Sequence, residues 1–387
     1  MSSTEAIEAV WPLTALQRAL TAHAGLADGH DPYVGQTLVE LRGPLDGPAL
    51  ERSLDALLVA HPNLRAGFAV DDDLDPVQFV PTRATAEVVW YDADVPGSVS
   101  VSADADEALG PDRALRDATR AAAEAERSLP FDPADPPLVR FGVVSLGAEH
   151  HVLVVTSHHL VLDGWSMPLL VREVARLYGA ELSAEGDVTA RRGRPDSPPR
   201  GTDTAPTVTD SPAEGDALAP ARGRFVDHLV WLGRQDADAA RAHWRESLAD
   251  VEPSRWPVAD AWTATDGIPD ASTTHRTLDT DAVEAIRGGA RAQGVTSATL
   301  VRAAWGLTVA AHAGSTCATF AVPVALRSPE VEHADEIVGM LTESVVARVD
   351  AHAATTLGEV VADHSRRWNA SWEHQHVGLR GIQAATG

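Results

Sequence analysis

The densest group of side chains capable of chemistry is His158-His159-Leu-Val-Leu-Asp163-Gly164-Trp165-Ser166, two adjacent histidines followed on a turn by a carboxylate. Imidazole is the side chain best suited to take or hold a proton near neutral pH, and a nearby carboxylate can orient such a motif through a charge-assisted hydrogen bond. The histidines close a hydrophobic run, residues 151–157, that reads as a buried strand. Successive strand residues point to opposite faces, so one histidine can face a cavity while its neighbour packs behind it. The same divergence argues against a metal centre, although two histidines and a carboxylate are donors that iron or zinc accepts. No metal is expected. A histidine at a strand end is commonly just a satisfied polar group, and here its company with Asp163 is what points to chemistry. Cys317, in another apolar run, reads as a small core residue rather than a nucleophile.

The elements that must hold this motif follow from periodicity. Leu13, Leu16 and Leu20 predict a helix over residues 14–24 behind Pro12, and residues 36–41 alternate like a strand. Asp46-Gly-Pro opens a second helix carrying Leu50, Leu54, Leu57 and Leu58, which His61-Pro ends. Residues 68–80 read as a hairpin around Asp71-Asp72-Asp73, and residues 139–146 as another buried strand after a helix that stops at Leu129-Pro. Ser166 can cap a helix with Pro168 in its first turn and Leu170, Val174 and Leu177 on one face. Residues 183–222 are rich in Pro, Gly, Ser, Thr and Asp without periodicity and read as a linker or insertion, too polar to offset its ordering entropy. Beyond it come a helical stretch with Trp231, Ala240, Trp244 and Leu248, helices over 282–293 and 297–313, and strands over 316–325 and 338–349.

Composition bounds the partners. The 31 basic residues against 56 acidic ones leave a net charge of −25, which disfavours nucleic acid. Every basic residue is Arg, so lysine-dependent Schiff-base chemistry is absent. A single cysteine forms no internal disulfide, no apolar run reaches the roughly 20 residues that span a bilayer, and the start Met1-Ser-Ser-Thr-Glu lacks a basic secretory signature. The expectation is a cytoplasmic protein with no membrane association and one or two domains in its 387 residues.

The histidine motif resembles the HHxxxDG motif of condensation domains in nonribosomal peptide synthetases, with the DGWS continuation those domains favour. Pro12-Leu-Thr-Ala-Leu-Gln17 resembles the family's first motif and His61-Pro-Asn-Leu-Arg65-Ala-Gly-Phe68 its His…Leu-Arg…Phe motif. Phe225-Val-Asp-His-Leu-Val-Trp231, Val338-Gly339-Met340 and His374-Gln375-His376 resemble three later ones, all in family order.

The resemblance implies an α/β fold of two chloramphenicol-acetyltransferase-like subdomains in a V-shaped pseudo-dimer with a tunnel between them. Residues 1–182 would form the first subdomain, 183–222 the linker and 223–387 the second. The implied reaction is amide formation between a donor acyl or peptidyl thioester and an acceptor aminoacyl thioester. Each arrives on the 4'-phosphopantetheine arm of a carrier protein, with an adenylation domain as an adjacent partner and no cofactor bound by the domain. His159 would face the tunnel as base or as positioning group, with His158 behind it. Asp163 is expected to be structural, paired with Arg327 across the two halves, and the Gly164 amide to approach a developing oxyanion. Trp165, Ser166 and Arg65 are supporting candidates, Arg65 divided between lining the cleft and an ion pair. His374 and His376 read as packing residues on a helix.

Two departures from the family stand out. Glu343-Ser344 occupies the place of its Asn-Thr, and the chain stops at Gly387 where the family continues through a further strand, so the C-terminal half is expected to be truncated. The other implied readings are a freestanding HxxxD acyltransferase using a coenzyme A or carrier thioester, and a non-catalytic recruitment module. The intact His158, His159 and Asp163 oppose the latter.

Overall fold

The structure, a computed structural model, describes residues 6–24, 31–71, 74–92, 110–145, 147–192, 222–251, 276–352 and 356–386. The expected turn residues Asp72 and Asp73, the start of the chain and residues 193–221 of the expected linker lie outside them. The chain divides into two compact units: residues Met1–Gly233 with Arg327–Leu341, and Arg234–Leu326 with Thr342–Gly387.

In the first unit, strand β1 (Ile7–Pro12) leads into helix α1 (Ala15–Ala24), and β2 (Val34–Arg42) into α2 (Gly47–Ala60). Asp46 caps α2 by accepting the Ala49 amide, and Pro48 follows at the position where a missing N–H costs nothing. β3 (Gly67–Asp71) and β4 (Leu74–Pro81) form the expected hairpin, with β1 added to give the order β1-β4-β3. β5 (Glu87–Asp92), helix α3 (Gly110–Ser128), β6 (Val139–Ser145) and β7 (His150–His158) complete a second sheet of order β2-β7-β6-β5. β5 and β6 run parallel and the other pairs antiparallel.

β6 and β7 are buried along nearly their whole length because both faces of their sheet are covered, which is why their sequences run apolar rather than alternating. On one face, Phe141, Leu153 and Val155 join Leu50, Leu54 and Leu57 of α2 with Leu170, Val174 and Leu177 of α4 (Ser166–Arg192). On the other, Val144, Val152 and Val154 meet Ala122 of α3. α4 continues to Arg192, well into the segment expected to be irregular. An established helix propagates through weak formers at little cost per residue, and no proline interrupts it before Pro195.

The second unit contains α6 (Ala237–Ser247), α7 (Thr280–Ala292), α8 (Ser297–Ala313), α9 (Leu357–Ala370) and α10 (Gly378–Thr386) around the antiparallel pair β8 (Cys317–Ala325) and β9 (Thr342–Asp350). The helical stretch expected around Trp231 and Trp244 is two helices, with α5 (Phe225–Leu232) in the first unit. α8 ends at Gly314, whose φ of 63 suits a left-handed cap. Gly306 lets α8 close on the sheet, since a Cβ there would stand 2.4 Å from Val349 Cγ2. His374 and His376 lie in a 3-10 segment, Trp372–Val377, rather than an α-helix.

The units therefore do not follow the expected division at residues 183–222. α5 and nearly all of the β8–β9 connection, Arg327–Leu341, belong to the first unit. The cause is apolar: Val331, Ala334, Ile337 and Leu341 form one buried cluster with Phe225 and Leu229. The strand expected from residue 338 begins only at Thr342, because the backbone before it is committed to partners at the histidine motif.

Candidate active site

β7 carries the histidines to the end of the sheet, where His158 still pairs opposite Val34 of β2 and the His159 amide donates to the Tyr33 carbonyl at 2.9 Å. A tight turn then leads to α4. His158 is fully buried, and its Nδ1 accepts the Leu160 amide at 2.9 Å while Nε2 lies 2.9 Å from Asp31 Oδ2. Because Nδ1 is an acceptor, the proton sits on Nε2 and is donated to Asp31. Burial lowers its pKa against the opposing pull of the Asp31 carboxylate, so the ring stays neutral. With both nitrogens engaged, His158 serves neither substrate nor metal. Among the described residues there is no group of three or more side chains placed to hold a metal ion.

His159 is half-buried and its environment is the reverse. Nδ1 lies 3.0 Å from the Leu162 carbonyl, which only accepts, so Nδ1 carries the proton and donates it. Nε2 has no hydrogen-bond partner among the described residues. The ring edge rests over Gly35, where a Cβ would meet Cε1 and Nε2 at 3.8 Å. In the neutral form of this ring, Nε2 can accept a proton or orient an N–H donor.

Asp163 is engaged by other groups. Its Oδ1 accepts the Ser166 amide at 2.8 Å and the Ser166 hydroxyl lies at 2.7 Å, while Oδ2 accepts the Leu341 amide at 3.0 Å. Asp163 thus caps α4, the role expected of Ser166, and Ser166 instead joins the buried network. Ser166 Oγ is 2.8 Å from the Gly339 carbonyl and accepts the Gly339 amide and Arg327 Nη2, each at 3.0 Å.

Arg327 reaches Asp163 Oδ1 at 3.4 Å and gives Nη1 to the Ala334 and Ile337 carbonyls at 2.7 and 2.8 Å. The pair was expected to join two halves. It lies within the first unit, because Arg327 opens the connection that packs there. His228 of α5 is buried beside it and held down to about 4, chiefly by desolvation and then by the Arg327 charge.

The remaining candidates divide. Trp165 is exposed, donates to the Asp335 carbonyl at 3.3 Å and carries the Arg327 guanidinium 5.3 Å above its ring. Gly164 makes no close backbone approach: a Cβ there would meet nothing within 4 Å. Its exposed turn beside the motif is open, which is compatible with a substrate but not required by packing. Arg65 borders a hollow with Glu8, Val59 and Thr82 that no residue of the histidine motif lines. It is buried, giving Nε to the Pro81 carbonyl at 2.9 Å, Nη1 to the Leu58 carbonyl at 2.6 Å and Nη2 to Glu8, so it ties α2 to β4 and β1.

Cys317 is only partly buried, and burial with the Asp350 carboxylate pushes its thiol up to about 12, so it is no nucleophile. Glu343 is buried in the second unit, its carboxylate against Gly378, where φ is 66 and a Cβ would lie 2.6 Å from Cδ. Sequence reasoning did not single out Asp31. Its signal is positional, since it precedes β2 and becomes visible only once the Val34 to His158 register is known.

The comparisons with known proteins concern the chain as a whole. The model of the condensation domain matches residues 7–188 and 211–387, and the chain belongs to that family. Chondramide synthase cmdD of Chondromyces crocatus is 28% identical over 357 residues, covering 92% of this chain and 8% of that protein. Bacitracin synthase 3 of Bacillus licheniformis is 22% identical over 383 residues, 98% of this chain and 5% of that one. The chain thus spans under a tenth of these relatives. The fold is shared with the first condensation domain of the calcium-dependent antibiotic synthetase in complex with substrate analogue 2a. That match has a TM-score of 0.63 at 19% identity over 98% of this chain and 79% of that one. No helix among the described residues is long and apolar enough to cross a membrane.

Proposed function

We propose that this domain joins a donor acyl or peptidyl thioester to the amine of an acceptor aminoacyl thioester, both delivered on phosphopantetheine arms of carrier proteins, within a larger synthetase that includes an adenylation domain. The carrying observation is the His159 ring, whose Nδ1–H is spent on the Leu162 carbonyl so that Nε2 is free to receive a hydrogen. The acceptor nitrogen attacks the donor carbonyl, a C–N bond forms, the C–S bond breaks, and the amine proton passes to the departing pantetheine thiolate. His159 Nε2 takes that proton or holds the N–H in line, and either role uses the same atom. General base catalysis contributes about 10²–10⁴-fold and positioning a comparable amount. Asp163, Ser166 and Arg327 hold the backbone of 337–341 against the motif and touch no reacting atom. Gly164, with its amide at an open turn, is the candidate donor to the developing oxyanion.

The −25 net charge opposes docking of acidic carriers by the overall field, so recognition falls to local arginine and apolar contacts. The test is a single-turnover reaction with the donor supplied either on a carrier protein or on coenzyme A, and the aminoacyl acceptor on a second carrier. The proposal predicts that the acceptor carrier gains the donor acyl mass from the carrier-borne donor. Transfer from coenzyme A alone would identify a freestanding acyltransferase, and binding of carriers without transfer a recruitment module; either overturns the proposal.

A further inference from the structure

Three consecutive carbonyls follow His159, and each meets a side-chain donor. Leu162 accepts the His159 Nδ1–H at 3.0 Å, Val161 lies 3.5 Å from Asn63 Nδ2, and Leu160 accepts Gln17 Nε2 at 2.8 Å. This loop has no strand partner, so side chains do for it what a ladder does for a sheet.

The orientation of Gln17 is fixed by chemistry. Its Oε1 accepts the Thr14 amide at 2.9 Å and Gln78 Nε2 at 3.4 Å, and the Thr14 hydroxyl in turn accepts the Gln17 amide at 3.2 Å. That is a reciprocal capping box at the start of α1. With Oε1 facing two donors, the NH₂ end must face Leu160. Gln78 is itself pinned by donating to the Pro12 carbonyl at 2.7 Å. Gln17 is 1% exposed, so no water replaces the bond to Leu160 once it is lost.

We infer that Gln17 is a positioning residue for His159: by holding the Leu160 carbonyl it fixes the loop in which the Leu162 carbonyl keeps the ring proton on Nδ1 and the lone pair on Nε2. The inference rests on the function proposed for His159. A neutral histidine in water prefers its proton on Nε2, the form unable to accept one there. Releasing the Leu160 peptide moves the Leu162 carbonyl and lets the ring return to that form.

The experiment uses the full 387-residue chain, with Gln17→Glu, which keeps the shape and, while ionised, only accepts, and Gln17→Met, which removes both functions. Ring ¹⁵N shifts of His159, identified by their loss in His159→Asn, report the tautomer. Single-turnover and saturation kinetics report the rate. Wild type is expected to carry the proton on Nδ1. The variants are expected to show a population protonated on Nε2 and a kcat lowered about tenfold or more, with KM for both carriers within about twofold. A wild-type ring protonated on Nε2 overturns the inference, as do folded variants with unchanged tautomer and rate. Failure of both variants to fold also overturns it, assigning Gln17 to the core. If wild type makes no amide from any donor, the proposed reaction fails, while the nitrogen shifts still decide the positioning claim.

Discussion

At the Asp163 end of the 158–166 loop, donors from Ser166, Leu341 and Arg327 converge on one carboxylate, whereas at the His159 end one ring nitrogen is left over. The two ends are a few residues apart and both carry groups that chemistry commonly employs. The difference teaches that saturation of hydrogen-bonding capacity separates architecture from function better than residue type does. His158 makes the same point at closer range, adjacent to His159 and spent at both nitrogens.

The largest expected effect is at the saturated end. Asp163→Ala leaves the Arg327 guanidinium buried without its carboxylate and frees the Leu341 amide, a loss of about 3–5 kcal/mol by urea or thermal denaturation. A variant of wild-type stability that has lost activity would break the comparison by making Asp163 chemical.

Acid is expected to destabilise the first unit next. His228 is held at about 4 by burial and then Arg327, and His61 at about 4 chiefly by burial. Each is neutral in the folded protein and titrates near 6.5 when unfolded, so the unfolded state binds more protons between those values. Stability is therefore intact above pH 6.5 and falls as the pH drops toward 4, by roughly 3 kcal/mol for each histidine. His228→Gln is expected to reduce the slope of unfolding free energy against pH in that window. An unchanged slope would remove His228 from the buried network.

The smallest effect concerns His158. Asp31→Ala deprives His158 Nε2 of its acceptor, with an expected loss of about 1–2 kcal/mol in chemical denaturation. A rate reduced without any loss of stability would instead place Asp31 in the reaction.

Much of this was readable in the sequence because the signals were local. Asp46-Gly-Pro predicts the start of α2, the alternation and turn of residues 68–80 the β3–β4 hairpin, and the spacing of His158, His159 and Asp163 the motif. What escaped depends on contacts between distant segments. That Arg65 is a tie, paired with Glu8, follows from the Pro81 and Leu58 carbonyls, and the allegiance of residues 327–341 from burial against α5. The strand expected from residue 338 looked plausible by composition. Only the capture of Gly339 and Leu341 by Ser166 and Asp163 delays it to Thr342.

The most direct measurement sets His159→Asn beside wild type, following both the acyl mass gained by the acceptor carrier and the melting temperature. The account predicts a rate lowered about 10²-fold or more with melting unchanged, since the ring makes one hydrogen bond and rests in a half-open position. A variant that forms amide at the wild-type rate would contradict it.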